Sequence, residues 1–266
     1  MEEPQTPVLV ERQEHILIVT INRPDARNAV NAAVHTGLGK ALELAENDPD
    51  IRVVVLTGAG DKAFCAGTDL KAMARGESNW PEDREQRSWG WAGVVRHPIG
   101  KPIIAAVNGF ALGGGTELTL ACDLVIAADH AEFGLPEVKR GIFAAAGGAF
   151  RLVQQLPPKL AMELLLTGDS FTAARALELG FANHVVPLAD LMPTALKMAR
   201  KIAANAPLAV QASKRIAKAI VEGKIASDAD FWAANKREGS IVMRSADARE
   251  GPRAFAEKRR PSWQGQ

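Results

Sequence analysis

The stretch N-G-F-A-L-G-G-G-T-E-L-T-L-A-C-D-L, residues 108–124, decides the fold of this chain. The apolar run Ile103–Val107 before it predicts a buried strand, and the glycines inside it lead into a short helix. Three consecutive glycines at a helix start are unfavourable unless a ligand needs the space. The backbone N–H groups of Gly113–Gly115 lie at the positive end of that helix, where they can meet a developing negative charge.

The same stretch carries a single carboxylate, Glu117, in the first turn of the predicted helix. A lone glutamate is usually a solvated surface charge. Here the neighbours Leu118, Leu120 and Ala121 are apolar, and an idle charge among them would be expensive to bury. Glu117 is therefore a candidate functional residue.

Composition excludes several classes of protein. Of 266 residues, 47% are hydrophobic and 24% charged, and the net charge of +1 gives no general attraction to nucleic acid or anionic membranes. The first residues lack the pattern of a signal peptide, and no apolar run approaches the roughly 18 residues of a transmembrane helix. We expect a cytoplasmic protein in which Cys65 and Cys122 stay reduced.

Strands alternate with helices early in the chain, and helices dominate later, which predicts an α/β core with a helical C-terminal part. The predicted strands are Val8–Val10 and Ile16–Ile21 as a hairpin, Ile51–Leu56, Ile103–Val107 and Leu124–Ala128. The predicted helices are Ala29–Asn47, one beginning near Asp69, a short one after the glycines, and segments near 160–166, 172–179, 188–204, 207–222 and 228–257. Ser78–Gly100 reads as an irregular wall containing Trp80, Trp89 and Trp91.

Known catalytic motifs are mostly missing. Residues 58–63, G-A-G-D-K-A, fit a dinucleotide-binding fingerprint, but no long helix or second strand follows as that fold requires. The sequence has no G-x-S-x-G, no phosphate-binding G-x-x-x-x-G-K-[ST], no H-E-x-x-H and no C-x-x-C, and its five histidines are scattered. A nucleotide cofactor, a metal site and a serine hydrolase are therefore disfavoured.

Two similar turns remain: A-F-C-A-G-T-D-L at residues 63–70 and G-F-A-L-G-G-G-T-E-L at residues 109–118. Each places small residues between a strand and a helix, at the same end of adjacent strands, so their backbone amides can converge on one oxygen. Two such donors form an oxyanion hole, in which each donor is worth about a hundredfold to a thousandfold in rate. One such turn alone more often reflects tight packing.

The chain resembles the crotonase family, also called the enoyl-CoA hydratase/isomerase superfamily. The similar segments are N-R-P-D-A-R-N-A from residue 22, K-A-F-C-A-G-T-D-L from 62, residues 102–123, F-G-L-P-E from 133, A-M-E-L-L-L-T-G-D from 161, and E-G-P-R-A-F-A-E-K-R-R-P-S-W from 250. The resemblance implies an α/β fold, a spiral of β-β-α units, over residues 1–200. Residues 201–266 would form a helical region for trimerisation and coenzyme A contacts, giving a homotrimer or a dimer of trimers.

The resemblance also implies which residues act. The thioester oxygen of an acyl-CoA would be held by backbone N–H groups that map onto Ala66 and Gly114, and the two family glutamates fall on Glu117 and Glu137. Phe255 and Lys258 would lie near the CoA nucleotide, often across a subunit interface. The full set of implied substrate-binding residues is Ala26, Arg27, Gly67, Thr68, Asp69, Leu70, Gly113, Ala145, Phe255 and Lys258.

With both glutamates present, we expect an enoyl-CoA hydratase that needs no metal ion or redox cofactor. Glu117 would take a proton from water and Glu137 would supply one to the α-carbon. Where the family pattern reads P-G-x-G-G, this chain has Ala144-Ala145-Ala146-Gly147-Gly148, so Ala145 adds a methyl group at the place that seats the water. Another crotonase-type lyase or isomerase therefore stays open, such as a hydroxyacyl- or carnitinyl-CoA dehydratase or an enoyl-CoA isomerase.

A hypothesis from another class is a non-catalytic trimer that associates with RNA. It would require a basic face with exposed aromatic residues, and a net charge of +1 argues against it. In such a protein Glu117, Glu137 and the two small-residue turns would have no catalytic role. We therefore expect an acyl-CoA thioester as the partner, with no nucleic acid, membrane or metal ion. The tryptophan segment either lines the acyl end of the substrate or simply packs.

Overall fold

A computed structural model describes residues 6–266 as β-sheets surrounded by helices. In chain order the strands are β1 (Val8–Gln13), β2 (Ile16–Ile21), β3 (Val53–Gly58), β4 (Ala63–Cys65), β5 (Ile103–Val107), β6 (Phe110–Leu112), β7 (Leu124–Ala128), β8 (Glu132–Gly134), β9 (Ser170–Thr172), β10 (His184–Val186), β11 (Ile220–Val221) and β12 (Lys224–Ile225). The α-helices are α1 (Ala32–Asn47), α2 (Leu70–Ala74), α3 (Arg84–Ser88), α4 (Gly114–Ala121), α5 (Gly148–Gln155), α6 (Pro158–Thr167), α7 (Ala173–Glu178), α8 (Leu188–Ala203), α9 (Pro207–Ala217), α10 (Ala229–Val242) and α11 (Ala246–Ala256). Short 3₁₀ helices span Pro24–Ala26, Trp91–Gly93, Pro136–Arg140 and Ala226–Asp228.

The larger sheet has the strand order β1-β2-β3-β5-β7-β10. Strands β1 and β2 form the expected antiparallel hairpin, and the remaining pairs are parallel. Apolar residues run almost continuously along the parallel strands because helices cover both faces of the sheet. On one face, Leu191, Ala195 and Ala199 of α8 pack against Ile104 and neighbouring strand residues.

The smaller sheet has the order β4-β6-β8-β9, and β4, β6 and β8 run parallel. Each of these three strands follows a strand of the larger sheet and precedes a helical segment, so the chain winds as successive β-β-α units. This confirms the expected spiral. The segments after β4, β6 and β8 leave the sheet at its carboxyl edge, which brings both small-residue turns and the segment of Glu137 to one place.

Several element boundaries differ from those expected. Helix α1 begins at Ala32 rather than Ala29, because Val30 bridges to Thr68 and the Asn31 side chain caps the helix by accepting a hydrogen bond from Val34 N. The irregular wall at 78–100 contains α3 and one 3₁₀ turn.

The C-terminal part is helical, as expected, but more divided. The helix expected over 207–222 ends at Ala217, and the β11–β12 hairpin follows. The helix expected over 228–257 is two helices, because Ser245 caps α11 through Ala248 N. The expected division at residue 200 falls inside α8, whose last residue, Ala203, is still buried against the sheet. Within residues 6–266, no helix is long and apolar enough to cross a bilayer.

Candidate active site

The two small-residue turns meet at the carboxyl edge of the smaller sheet. Cys65 of β4 pairs with Ala111 of β6, so the chain leaves both strands side by side. A Cβ atom built on Gly115 would lie 1.9 Å from the carbonyl oxygen of Cys65, so only glycine permits this approach. The structure thus brings together the two turns that the sequence pairs.

Some backbone N–H groups at these two turns donate hydrogen bonds within the chain, and others are free. Ala66 N–H donates to the carbonyl oxygen of Arg27 at 3.1 Å, so this N–H is already used. Two backbone hydrogen bonds join this turn to Val30: the N–H of Val30 donates to Gly67 O, and the N–H of Asp69 donates to Val30 O. The N–H of Thr68, which lies between these two residues, points away from Val30. Within residues 6–266, the N–H groups of Thr68 and Gly114 have no hydrogen-bond acceptor.

This finding corrects one expectation. The oxyanion donor expected at Ala66 is engaged inside the chain, and the free N–H on this turn belongs to Thr68, two residues later. The other expected donor, Gly114, keeps its N–H free at the start of α4. A Cβ built on Gly67 would lie 3.5 Å from Gly114 N, which shows how closely the turns approach.

The segment at residues 23–30 holds the first turn in place. Arg27 adopts a left-handed conformation, with φ of 53°, and presents its carbonyl oxygen to Ala66. Arg23 forms an ion pair with Asp69 at 2.7 Å, and Asp69 also caps α2 through Ala72 N. Asp69 therefore positions the turn, while the expected binding residues Ala26, Arg27 and Leu70 lie along its edge with partly or largely exposed side chains.

Glu117 lies in the first turn of α4 with only 3% of its surface exposed, as its apolar neighbours predict. Its Oε1 accepts a hydrogen bond from Gly148 N at 2.8 Å. Burial raises the pKa of Glu117 to about 8, the nearby charge of Glu137 adds to the rise, and the N–H groups of Gly148 and Ala146 oppose it. Glu117 is thus a buried carboxyl held by backbone donors.

Glu137 lies in the 3₁₀ helix that follows β8, on the other side of the start of α4. A Cβ built on Gly113, the residue that precedes α4, would lie 3.1 Å from Glu137 Oε1. Its Oε2 is buried without a hydrogen-bond partner among the described residues. Burial raises the pKa of Glu137 to about 7. Midway between these two pKa values the two carboxyls therefore share about one proton.

The loop that carries Ala145 closes the site beside Glu117. Ala145 is exposed, and its carbonyl oxygen accepts a hydrogen bond from Asn235 of α10 at 2.9 Å. Arg151, one turn into α5, forms a buried ion pair with Asp228 at 3.0 Å, and its charge lowers the pKa of Glu117. We did not anticipate Arg151 or Asn235. An arginine amid the apolar residues of α5 is the one sequence signal that points to the former.

Trp91 lines the site next to both turns. Its Nε1 donates to Thr68 Oγ1 at 3.2 Å, and a Cβ built on Gly114 would lie 2.3 Å from its ring. A cavity of about 560 Å³ extends from Trp91, Ala145 and Ala146 to α10. The tryptophan segment therefore contributes a wall to the site.

Phe255 and Lys258 are placed differently from the other expected residues. Phe255 lies in the last turn of α11 and Lys258 two residues beyond its end, and this helix packs on the 3₁₀ helix of Glu137. The guanidinium carbon of Arg140 is 4.1 Å from the centroid of the Phe255 ring. Phe255 is 52% exposed. None of the hydrogen bonds or ring contacts within residues 6–266 joins these two residues to the turns at Thr68 and Gly114.

Comparison with known proteins shows the family of this chain. The family model described as enoyl-CoA hydratase/isomerase matches residues 11–266. The chain belongs to this family. A carnitinyl-CoA dehydratase from Salmonella arizonae is 43% identical over 260 residues, which cover 96% of this chain and 97% of that protein.

Two crystal structures of family members extend the comparison. A carnitinyl-CoA hydratase from Mycobacterium avium is 54% identical, with a TM-score of 0.96 over 99% of this chain and 100% of the other. An enoyl-CoA hydratase from Mycobacterium tuberculosis H37Rv is 46% identical, with a TM-score of 0.76 over 98% of this chain and 100% of the other. Membership of the crotonase family supports a crotonase-type hydro-lyase, and an acyl-CoA thioester fits the family as substrate.

Proposed function

We propose that this protein is an enoyl-CoA hydratase, which adds water reversibly across the double bond of a 2-enoyl-CoA thioester. The observation that carries the proposal is the pair of buried carboxyls, Glu117 and Glu137, on either side of two free N–H groups at Thr68 and Gly114. Those N–H groups would bind the thioester oxygen. They would stabilise the negative charge that develops there when water attacks the β-carbon.

The two carboxyls divide the proton transfers. As water attacks, its oxygen bonds to the β-carbon, the double-bond electrons move toward the thioester oxygen, and Glu117 takes the proton that the water releases. Glu137 gives its proton to the α-carbon, so the product gains the elements of one water molecule. The hydrogen bond from Gly148 N opposes the effect of burial on Glu117 but does not outweigh it, so the pKa of Glu117 stays above that of Glu137. Because the two buried carboxyls titrate as one coupled pair, the proton that they share can lie on Glu137 when water binds, which leaves Glu117 as the base.

This chemistry requires no metal ion or redox cofactor, because addition of water transfers no electrons to an acceptor and backbone N–H groups polarise the carbonyl. Coenzyme A enters as part of the substrate. Phe255 and Lys258 would contact its nucleotide, as the family resemblance implies.

We also propose a homotrimer or a dimer of trimers. The C-terminal helices expose large apolar side chains that a monomer would leave in water: Leu208 is 77% exposed, Ile216 82% and Ile241 66%. A subunit interface over these helices would bury them.

The assay that tests the proposal is loss of the enoyl absorbance of crotonyl-CoA on addition of the purified protein. We expect hydration of crotonyl-CoA or of a longer 2-enoyl-CoA in a length series. A protein that leaves the whole series unchanged is not an enoyl-CoA hydratase.

Carnitinyl-CoA dehydration is the second candidate, because a relative that is 43% identical carries that name. It is the same reaction run toward loss of water, and the same two carboxyls would serve it. The same assay distinguishes the candidates when crotonyl-CoA and an enoyl-CoA with a trimethylammonium end are compared.

The pH dependence of kcat/KM tests the carboxyl pair separately. We expect a bell-shaped profile with its maximum between about pH 7 and about pH 8, because the reaction needs one ionised and one protonated carboxyl. Below this range both carboxyls are protonated and no base remains. Above it both are ionised and no acid remains. A profile that stays flat across this range would contradict the proposed roles.

A further inference from the structure

The cavity that begins at the candidate active site has a distinctive charge. Its inner wall is formed by Trp91, Ala145 and Ala146, next to the free N–H groups and Glu117. A substrate whose thioester oxygen sits at Thr68 and Gly114 would therefore extend its acyl chain into this volume of about 560 Å³. The other residues that line the cavity decide which acyl ends fit.

Three cationic residues also line the cavity: Arg87 of α3, Arg96 and Lys236 of α10. No aspartate or glutamate is among the lining residues described. Within residues 6–266, none of the three cations forms an ion pair with a carboxylate. The cavity thus has three cationic lining residues, none of which is held in an ion pair among the described residues.

Two of the three tryptophan rings that line this cavity, Trp80 and Trp232, already contact other side chains. Trp232 of α10 has the guanidinium of Arg96 at 5.0 Å and that of Arg151 at 5.5 Å from its ring. The ring of Trp80 packs against His35, with centroids 5.4 Å apart. A quaternary ammonium group binds to open aromatic faces, commonly with anionic support. A trimethylammonium group in this cavity would instead meet cationic side chains, one of which already covers the ring of Trp232.

We propose that the cavity selects a 2-enoyl-CoA whose acyl chain ends in a second carboxylate, and that it disfavours a trimethylammonium end. Lys236, Arg96 and Arg87 would supply the positive charge that binds the terminal carboxylate. Lys236 and Trp232 are four residues apart on α10, so both face the cavity, whereas Arg237 lies on a different side of the helix. The inference rests on the proposed function in one respect, namely that the thioester oxygen of the substrate binds at the N–H groups of Thr68 and Gly114.

The test compares three 2-enoyl-CoAs of equal acyl length that end in a methyl group, a carboxylate or a trimethylammonium group. We expect kcat/KM to favour the carboxylate end over the methyl end by about tenfold, with the trimethylammonium end lowest. Lys236→Glu is expected to lower the carboxylate-to-methyl ratio at least about tenfold and to raise the trimethylammonium-to-methyl ratio. The matched control, Arg237→Glu, changes charge by the same amount outside the cavity and is expected to leave both ratios as in the wild type.

Binding separates failure of this inference from failure of the proposed function. Dissociation constants of the three corresponding saturated acyl-CoAs, measured by calorimetry, need no turnover. The carboxylate end is expected to bind most tightly, with a preference that shrinks at high salt. If the trimethylammonium end binds as tightly, or if Arg237→Glu shifts the ratios as much as Lys236→Glu, the inference is wrong. If no enoyl-CoA is hydrated, only the proposed function fails, and the order of binding still decides the inference.

Discussion

Replacing Glu137 with Gln is expected to lower kcat for hydration of crotonyl-CoA by about a thousandfold, and Glu117→Gln is expected to have a similar effect. Glutamine has almost the shape of glutamate but can neither accept nor deliver the proton. Because both carboxyls are buried with raised pKa values, a neutral side chain at either position removes an electrostatic cost, and the fold is expected to persist. The measurement is the decay of enoyl absorbance, with thermal unfolding as the check on folding.

Glu132→Gln provides the matched control. Glu132 lies on β8, five residues before Glu137, but its carboxylate accepts a hydrogen bond from Ser170 Oγ rather than facing the site. This variant is expected to keep wild-type activity. The double variant Glu117→Gln/Glu137→Gln is expected to lose less than the product of the single losses, because both groups act in one event. Full activity in Glu117→Gln alone would show that Glu117 is not the base.

The sequence could predict those parts of the fold that depend on long apolar runs. Strand β5 was predicted with its observed bounds, and β3 lies within two residues of its predicted start and end, because a strand covered on both faces needs uninterrupted apolar residues. The burial of Glu117 followed from its apolar neighbours. These features are local, so the residues that cause them are adjacent in the chain.

The smaller sheet could not be derived from residue patterns. Strands β4, β6 and β8 have three residues each, and they exist only because segments about twenty to fifty residues apart in sequence pair at one edge. The resemblance to the crotonase family implied this sheet through its β-β-α units, although the residues alone did not. The split between α10 and α11 was missed because Ser245 caps a helix inside an otherwise helical pattern.

The free N–H group at the first turn, residues 63–70, is a second feature that residue patterns do not predict. A motif gives the turn, but which N–H remains free depends on what the rest of the chain bonds. Arg27 reaches Ala66 N only because it adopts a left-handed conformation, and Val30 aligns with Gly67 and Asp69. That pairing leaves Thr68 N–H free. Backbone pairing between distant segments carries no residue-type signature, so the sequence points to Ala66, whereas the structure leaves the N–H of Thr68 free.

Gly67→Ala is the second variant with a large expected effect, because it tests the N–H pair without removing either donor. Gly67 has φ of 90°, and a Cβ there would lie 3.5 Å from Gly114 N and 3.3 Å from Leu112 O. The methyl group would occupy the space next to the N–H groups where the thioester oxygen is proposed to bind. We expect kcat to fall by about a hundredfold to a thousandfold, the usual effect of losing one oxyanion donor.

Gly180→Ala is the control for the backbone strain that alanine introduces at a positive φ. Gly180 has φ of 74° and nothing within 4 Å of the added methyl, so its substitution carries a backbone strain of roughly 1 kcal/mol without a new contact and without touching the site. Both variants are expected to lose some melting temperature, Gly67→Ala more because its methyl lies 3.3 Å from Leu112 O, while only Gly67→Ala loses turnover. Because the developing charge is larger in the transition state than in the bound substrate, the dissociation constant of a saturated acyl-CoA is expected to change far less than kcat. Equal activity in the two variants would show that the thioester oxygen does not bind between Thr68 and Gly114.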